Sequence, residues 1–381
     1  MSKDVYCSAP WKGITIRENG DVLTCCIGKT VLGNLNNQTI DDIMSSNVLS
    51  EIKNDLTVGH NKNCGICIDT EKTSNYSSLR QHYLKHYPLK DVNTQELKFI
   101  DVRWNNKCNL ACQYCEPTLS STWEEQLSIS RTSATKNYQD ELLHWMLDKA
   151  HSLKEIMLVG GEPMLMKQNH KLIQELPSDC QISIITNLSY DFSKLPCLQS
   201  LLGRPREKII WNISVENISE QYEYVRNGAD WNLFLKNLKF LLQHWPNTVS
   251  LSMVYSLFCA LNLDQTIEYF YNFGVKKFTL LPIGGNDEIN TFLLSLEIQQ
   301  QAAAVLEKIK IWHSTTFDDQ ADLYPIEGLQ DLLMGLHKPN DCVKISREQF
   351  FNKISWYDSW TKNKKFAQLW PDVNDLTQRT L

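Results

Sequence analysis

The sequence predicts an α/β fold in which parallel strands alternate with helices, as a six-stranded partial barrel or an open doubly wound sheet. Three observations carry this. Six short apolar segments recur between Leu97 and Leu281, helix-length amphipathic segments separate them, and a cysteine-rich segment and an aromatic tail flank the repeat. Strands spaced in this way are joined by right-handed crossovers, and in either architecture reactive groups gather at the strands' carboxyl ends.

The predicted strands are 99–103, 156–159, 182–185, 209–214, 249–254 and 277–281, each rich in Ile, Val, Leu or Phe. Segments 231–244 and 263–272 carry helical periodicity between them. Upstream, Gly13-Ile14-Thr15-Ile16-Arg17 and Asp21-Val22-Leu23-Thr24 flank Glu18-Asn19-Gly20, and the Asn-Gly pair is a hairpin turn signal. Helices are predicted over 40–53 and, as a connector, over 74–86. Downstream of Pro282 a helix is expected over 293–313, then a tail whose Phe350, Phe351, Ile354, Trp356 and Trp360 form a packing face. The expected organisation is a cysteine-rich hairpin module with connector (1–85), a βα domain (97–285) and a helical C-terminal extension (286–381).

Composition narrows the function classes. Of 381 residues, 42% are hydrophobic and 22% charged, and no run of 18 uncharged apolar residues is present to span a bilayer. The N-terminus lacks the basic and apolar regions of a secretory signal, so the expected location is the cytoplasm. There the twelve cysteines read as metal ligands before disulfides. A net charge of -6 gives no overall basic footprint, which disfavours nucleic acid as substrate.

Two cysteine constellations stand out. Cys108, Cys112 and Cys115 follow the first predicted strand with spacing C-x3-C-x2-C. Three thiolates are one ligand short of a closed tetra-cysteine iron–sulfur site, so one iron keeps an open position. The same residues also suit three buried thiols, or a zinc site completed by His86 or His144. Cys7, Cys25, Cys64 and Cys67 form the second set, in which Cys64-Gly65-Ile66-Cys67 is a C-x2-C knuckle. Four thiols close a site, for structural zinc or for an iron–sulfur cluster.

The first set resembles the signature of the radical S-adenosylmethionine (SAM) superfamily, C-x3-C-x-aromatic-C after the first barrel strand, with Tyr114 at the aromatic position. That resemblance implies a partial (β/α)6 TIM barrel. It also implies a [4Fe-4S] cluster on Cys108, Cys112 and Cys115, with SAM chelating the open iron and breaking down to a 5′-deoxyadenosyl radical. Gly160-Gly161-Glu162-Pro163, after the second strand, looks like the family's GGEP motif, which implies that Gly161 and Glu162 face the SAM amino group. Without the resemblance the same four residues read as a tight turn. Ser214 and Glu216 resemble the family's ribose-hydroxyl pair, Arg226 stands where related enzymes place an arginine near the SAM carboxylate, and Thr186 and Asn187 are expected to line the same pocket. A lone helical arginine is otherwise a solvated charge.

Cys7, Gly20 and Cys25 satisfy C-x12-G-x4-C, which is similar to the opening of the SPASM and twitch auxiliary-cluster modules. Those modules usually follow the barrel, whereas this one precedes it. Cys26 has no assigned role, and Cys180, Cys197, Cys259 and Cys342 are expected to be isolated thiols. The resemblance implies hydrogen abstraction followed by oxidation or bond formation, with flavodoxin or ferredoxin as electron donor. The implied substrate is a peptide or protein, or alternatively a small alcohol or aminocyclitol. Asp287 and Glu288 are candidate bases after the sixth strand. The competing reading is a non-catalytic zinc or iron scaffold.

Overall fold

The computed structural model describes residues 6–59, 63–73, 78–129, 138–282, 296–316, 322–324, 340–361 and 364–373. Asp287 and Glu288 lie outside them. The chain is α/β with a mostly parallel sheet, and it divides into two compact units. The first comprises Met1–Asn109, Pro117–Thr186 and Ser193–Trp211; the second comprises Leu110–Glu116, Asn187–Phe192 and Asn212–Leu381.

In the first unit β1 (Gly13–Ile16), β2 (Asp21–Leu23) and β3 (Gly33–Asn34) form an antiparallel meander. Gly20, at φ +86°, makes the turn between β1 and β2 that the Asn-Gly pair predicts. The hairpin is not a separate layer. β1 pairs in parallel with β4 (Phe99–Val102), which pairs with β6 (Glu155–Leu158), which pairs with β7 (Gln181–Thr186). Between β4 and β6 in the chain lies the short β5 (Ala111–Cys112), which belongs to the second unit.

Register makes this sheet two-faced. Ile14, Ile100, Ile156 and Ile182 align across four strands, as do Ile16, Val102, Leu158 and Ile184, and every one of these is buried. Each such side chain contributes roughly 1.5–3 kcal/mol. Thr15, Asp101, Met157 and Ser183 align on the opposite face. At the amino end of β4, Tyr83 of the connector helix Leu79–His86 and Tyr87, just beyond that helix, pack against Phe99, with ring centroids 5.8 and 6.4 Å away. The predicted helix over 40–53 is two helices, Ile40–Met44 and Asn47–Thr57. The break falls at Ser45-Ser46, where the Ser46 hydroxyl caps the second helix at the Leu49 N–H.

The unit boundary falls inside β8 (Ile209–Ser214). Beyond it, the second unit has β9 (Arg226–Asn227), antiparallel to β5, and β10 (Val249–Tyr255), parallel to β11 (Lys277–Pro282). In the stretch expected to be helical, Asp322–Tyr324 adds β12, parallel to β11. Three residues are too few for their periodicity to show in the sequence. In helix Asn340–Trp360, Phe350, Ile354 and Tyr357 are buried, while Trp356, expected on the packing face, is 43% exposed. Spacing of four and then three residues puts Tyr357 on the inner face in its place. Tyr357 and Trp370 pack on Tyr224 with centroids 5.2 and 5.3 Å away, so this aromatic tail is core.

Candidate active site and auxiliary thiol site

In the first unit the residues before Cys108 and the Gly160–Pro163 turn are built against each other. Gly160 has φ +122°, a conformation that side chains resist. A Cβ on Gly161 would lie 2.3 Å from the Lys107 carbonyl oxygen, so only glycine permits this approach. The Glu162 N–H donates to that same carbonyl at 2.8 Å. Glu162 is fully buried, and its Oε1 accepts the Met164 N–H at 3.1 Å and the Thr186 hydroxyl at 2.8 Å. Thr186 thus aims the Glu162 carboxylate, and Pro163–Leu165 is a one-turn 3-10 helix that Glu162 caps. Ser121 and Thr122 hydroxyls donate to the Cys108 carbonyl at 3.2 and 2.8 Å and fix the cysteine's backbone.

Sequence reasoning missed two braces. The Trp104 indole donates to Asn169 Oδ1 at 2.6 Å, and Asn169 Nδ2 donates to the Pro163 carbonyl at 2.8 Å. A polar residue on the inward face of helix Lys167–Glu175 was the available signal.

In the second unit Cys112 and Cys115 share a turn, with the Cys115 N–H donating to the Cys112 carbonyl at 3.0 Å. β5 pairs Cys112 with Arg226. Arg226 is 3% exposed and not a solvated charge. Its Nε and Nη2 grip both oxygens of the buried Glu216 at 2.8 and 2.7 Å, and its Nη1 lies 3.9 Å from Cys112 Sγ. The Tyr114 hydroxyl donates to Glu216 at 3.1 Å, and the guanidinium stands 5.5 Å from the Tyr114 ring centre. Glu216 is therefore joined to Arg226 and Tyr114, and Ser214, half-buried, ends β8. Asn187 Oδ1 accepts the Ser189 N–H at 2.8 Å in a local turn.

Cys7, Cys25, Cys64 and Cys67 line one cavity in the first unit, with Arg80 and Tyr83 among its walls. Burial, and then neighbouring thiols, push Cys25 up to about 12. Burial also pushes Cys7 to about 12, against the Ala9 N–H that donates to its sulfur at 3.4 Å. Burial raises Cys64 as well, while the Arg80 guanidinium opposes the rise. Arg80 is itself fixed by Glu71 at 2.9 and 2.7 Å. Among the described residues, no three His, Cys, Asp or Glu side chains stand close enough to share a single metal ion. Four thiols around one cavity repel one another as anions and fit a cluster whose irons each take one sulfur. Cys180, Cys197 and Cys259 are buried free thiols.

A βα strand that leads into a three-thiol loop, and a four-thiol cavity in the first unit, are the donor sets of an iron–sulfur protein of the α/β class. The chain matches the model of the radical SAM superfamily over residues 102–258 and that of the SPASM iron–sulfur cluster-binding domain over residues 7–69. The chain thus carries a radical SAM superfamily domain preceded in sequence by a SPASM iron–sulfur domain. Its cofactors are accordingly a [4Fe-4S] cluster with SAM, and an auxiliary iron–sulfur cluster in the SPASM domain.

Among curated proteins, the chain is 21% identical over 240 residues to a GTP 3′,8-cyclase of Clostridium botulinum (58% of this chain, 72% of the relative). It is 24% identical over 269 residues to that of Clostridium acetobutylicum (65% and 71%). Among solved structures, native anSMEcpe with bound AdoMet gives a TM-score of 0.45 at 15% identity (64% and 68% covered). Streptococcus suis SuiB bound to SAM gives 0.40 at 14% identity (74% and 61%). Among the described residues no helix is long and apolar enough to cross a membrane.

Proposed function

We propose that Cys108, Cys112 and Cys115 hold the catalytic cluster, and that Tyr114, Gly160 to Pro163, Thr186, Asn187, Ser214, Glu216 and Arg226 form the surroundings of SAM. The observation that carries this reading is the packing of Gly161 and the Glu162 N–H on the Lys107 carbonyl, too close for any side chain at 161, which builds the GGEP turn onto the backbone leading into Cys108. Thr186 orients Glu162, and the Arg226 charge lies beside the Cys112 sulfur. When bound, the cluster supplies the electron that splits SAM into methionine and a 5′-deoxyadenosyl radical. The chain's own task is to hold the cofactor dry and aim it at one substrate hydrogen. Cys7, Cys25, Cys64 and Cys67 hold the auxiliary cluster, and a flavodoxin or ferredoxin supplies electrons.

The substrate reading is a peptide or protein, supported by the match to the SPASM model and its resemblance to peptide-modifying enzymes. A nucleotide is the second reading, favoured by relatives named GTP 3′,8-cyclase. Anaerobic, reduced protein is to be offered SAM with deuterated peptides and, separately, with deuterated GTP. Deuterium in 5′-deoxyadenosine from a peptide is the expected result; deuterium from GTP instead would replace the peptide reading with the nucleotide one.

A further inference from the structure

The amino ends of three neighbouring strands in the first unit carry a row of lysines that neither thiol site uses. Gly13, Phe99 and Glu155 begin β1, β4 and β6 and are partners in register, so Lys12, Lys98 and Lys154, the residues before them, line up across the sheet's edge. Backbone bonds hold the row. The Lys98 N–H donates to the Lys12 carbonyl at 2.7 Å, and the Lys154 N–H donates to the Lys98 carbonyl at 2.8 Å. Adjacent strands lie about 4.8 Å apart, so three ammonium-bearing side chains leave the backbone at that spacing. Like charges placed side by side in this way repel one another.

All three lysines, with Lys90, line a cleft of about 410 Å³. That volume suits a small molecule. The same lining holds two carboxylates, Asp91 and Glu96, which leaves a surplus of two positive charges. Both carboxylates are already engaged: Glu96 bridges Lys12, at 3.2 Å, and Lys98, while Asp91 accepts the Asn93 N–H and the Thr94 hydroxyl, each at 3.0 Å. Lys12 is 6% exposed, and its ammonium has the half-buried Glu96 as its ion-pair partner. Lys154 reaches Asp179 at 3.2 Å in an exposed pair, which holds it weakly. Lys90 is exposed and makes no ion pair among the described residues. Tyr87 and Pro88 give the cleft an apolar wall, with the Tyr87 hydroxyl donating to Glu155 at 2.8 Å.

The cleft is separate from the residues proposed to surround SAM. Cys108 and the Gly160–Pro163 turn follow the carboxyl ends of β4 and β6, whereas the lysines precede the amino ends. A strand of four residues is about 13 Å long.

We propose that this cleft binds a small organic phosphate carrying at least two negative charges, with its phosphate oxygens on the lysine row and its organic part against Tyr87 and Pro88. Two negative charges match the surplus of the lining. Lysine ammoniums bind phosphate as point charges, so a row of them accepts a phosphate without the fixed fork of an arginine.

Calorimetric titration of the reconstituted full-length protein with inorganic pyrophosphate, at constant ionic strength, tests the site. The expected result is saturable binding to a single site, weakened about tenfold in Lys154→Gln by loss of one charge-assisted hydrogen bond. Lys90→Gln combined with Lys154→Gln should weaken it further, and Glu96→Gln should tighten it by freeing Lys12 and Lys98. Lys239→Gln, which removes the same charge from an exposed position on helix Trp231–His244, should bind as the wild type does. Absence of saturable binding in the wild type would overturn the proposal, as would equal affinity in the wild type and the Lys90, Lys154 double variant, or equal weakening in Lys154→Gln and Lys239→Gln. If Glu96→Gln fails to fold, the exposed Lys90 and Lys154 variants decide the matter. Neither SAM nor turnover enters the measurement, so its outcome is independent of the reading of the SAM site.

Discussion

The auxiliary thiols Cys7, Cys25, Cys64 and Cys67 span sixty positions of chain and meet only through the packing of the hairpin and the helices Gly65–Thr73 and Leu79–His86. Cys108, Cys112 and Cys115 instead lie within eight consecutive residues. The first arrangement needs tertiary structure before a ligand set exists, so a bound cluster doubles as a staple. The second has its ligand spacing built into the chain and depends on neighbours for its surroundings: Ser121 and Thr122 on Cys108, and the Arg226–Glu216 pair beside Cys112. A site assembled from distant segments is lost by disturbing the packing, whereas a local one is changed by altering what lies beside it.

Breaking the buried pair should have the largest effect. Arg226→Ala leaves Glu216 charged and unpaired in the second unit and is expected to cost about 3–5 kcal/mol, measured by denaturant unfolding. The auxiliary iron of the first unit should persist in this variant if it folds. Asp101→Asn should act in the opposite direction. A carboxyl whose folded pKa lies near 6, above its unfolded value, binds its proton more tightly in the native state, so stability falls as pH rises from about 4 through about 6. The variant lacks that fall and should be more stable by on the order of 3 kcal/mol at pH 8 and unchanged at pH 4. A less stable variant at pH 8 would mean that the carboxylate serves packing.

Glu162→Ala is expected to weaken SAM binding by about 1.5–3 kcal/mol with iron content nearly unchanged. Calorimetry alongside iron analysis measures both, and equal affinities would reduce Gly160 to Pro163 to a turn. Trp356→Ser should be the mildest change. An exposed position in the tail predicts a shift within about 0.5 kcal/mol in thermal unfolding.

The six βα strands were legible because each is a short apolar run separated from the next by a helix-length stretch, and the observed ends differ by only a residue or two. The Cys108, Cys112 and Cys115 motif and the Cys64–Cys67 pair were legible because their spacing is local. What escaped depends on register and on distant partners. Nothing in Gly13–Ile16 announces that it pairs with β4, and Asp322–Tyr324 is too short to show a period. Arg226 was singled out by the resemblance, but its pairing with Glu216 shows only once the chain is folded. Asp101 interrupts an apolar strand, and only the packed sheet shows that one of its oxygens is left without a donor.

The central claim is that Cys108, Cys112 and Cys115 carry the cluster that cleaves SAM while the four upstream thiols carry a second, independent one. The most direct measurement replaces all three with Ala and follows iron content together with 5′-deoxyadenosine formation in the anaerobic, reduced protein. The account predicts a variant that forms no 5′-deoxyadenosine yet keeps about half of the wild-type iron, around four atoms if both clusters are cubanes. A variant that still forms 5′-deoxyadenosine at the wild-type rate would contradict it.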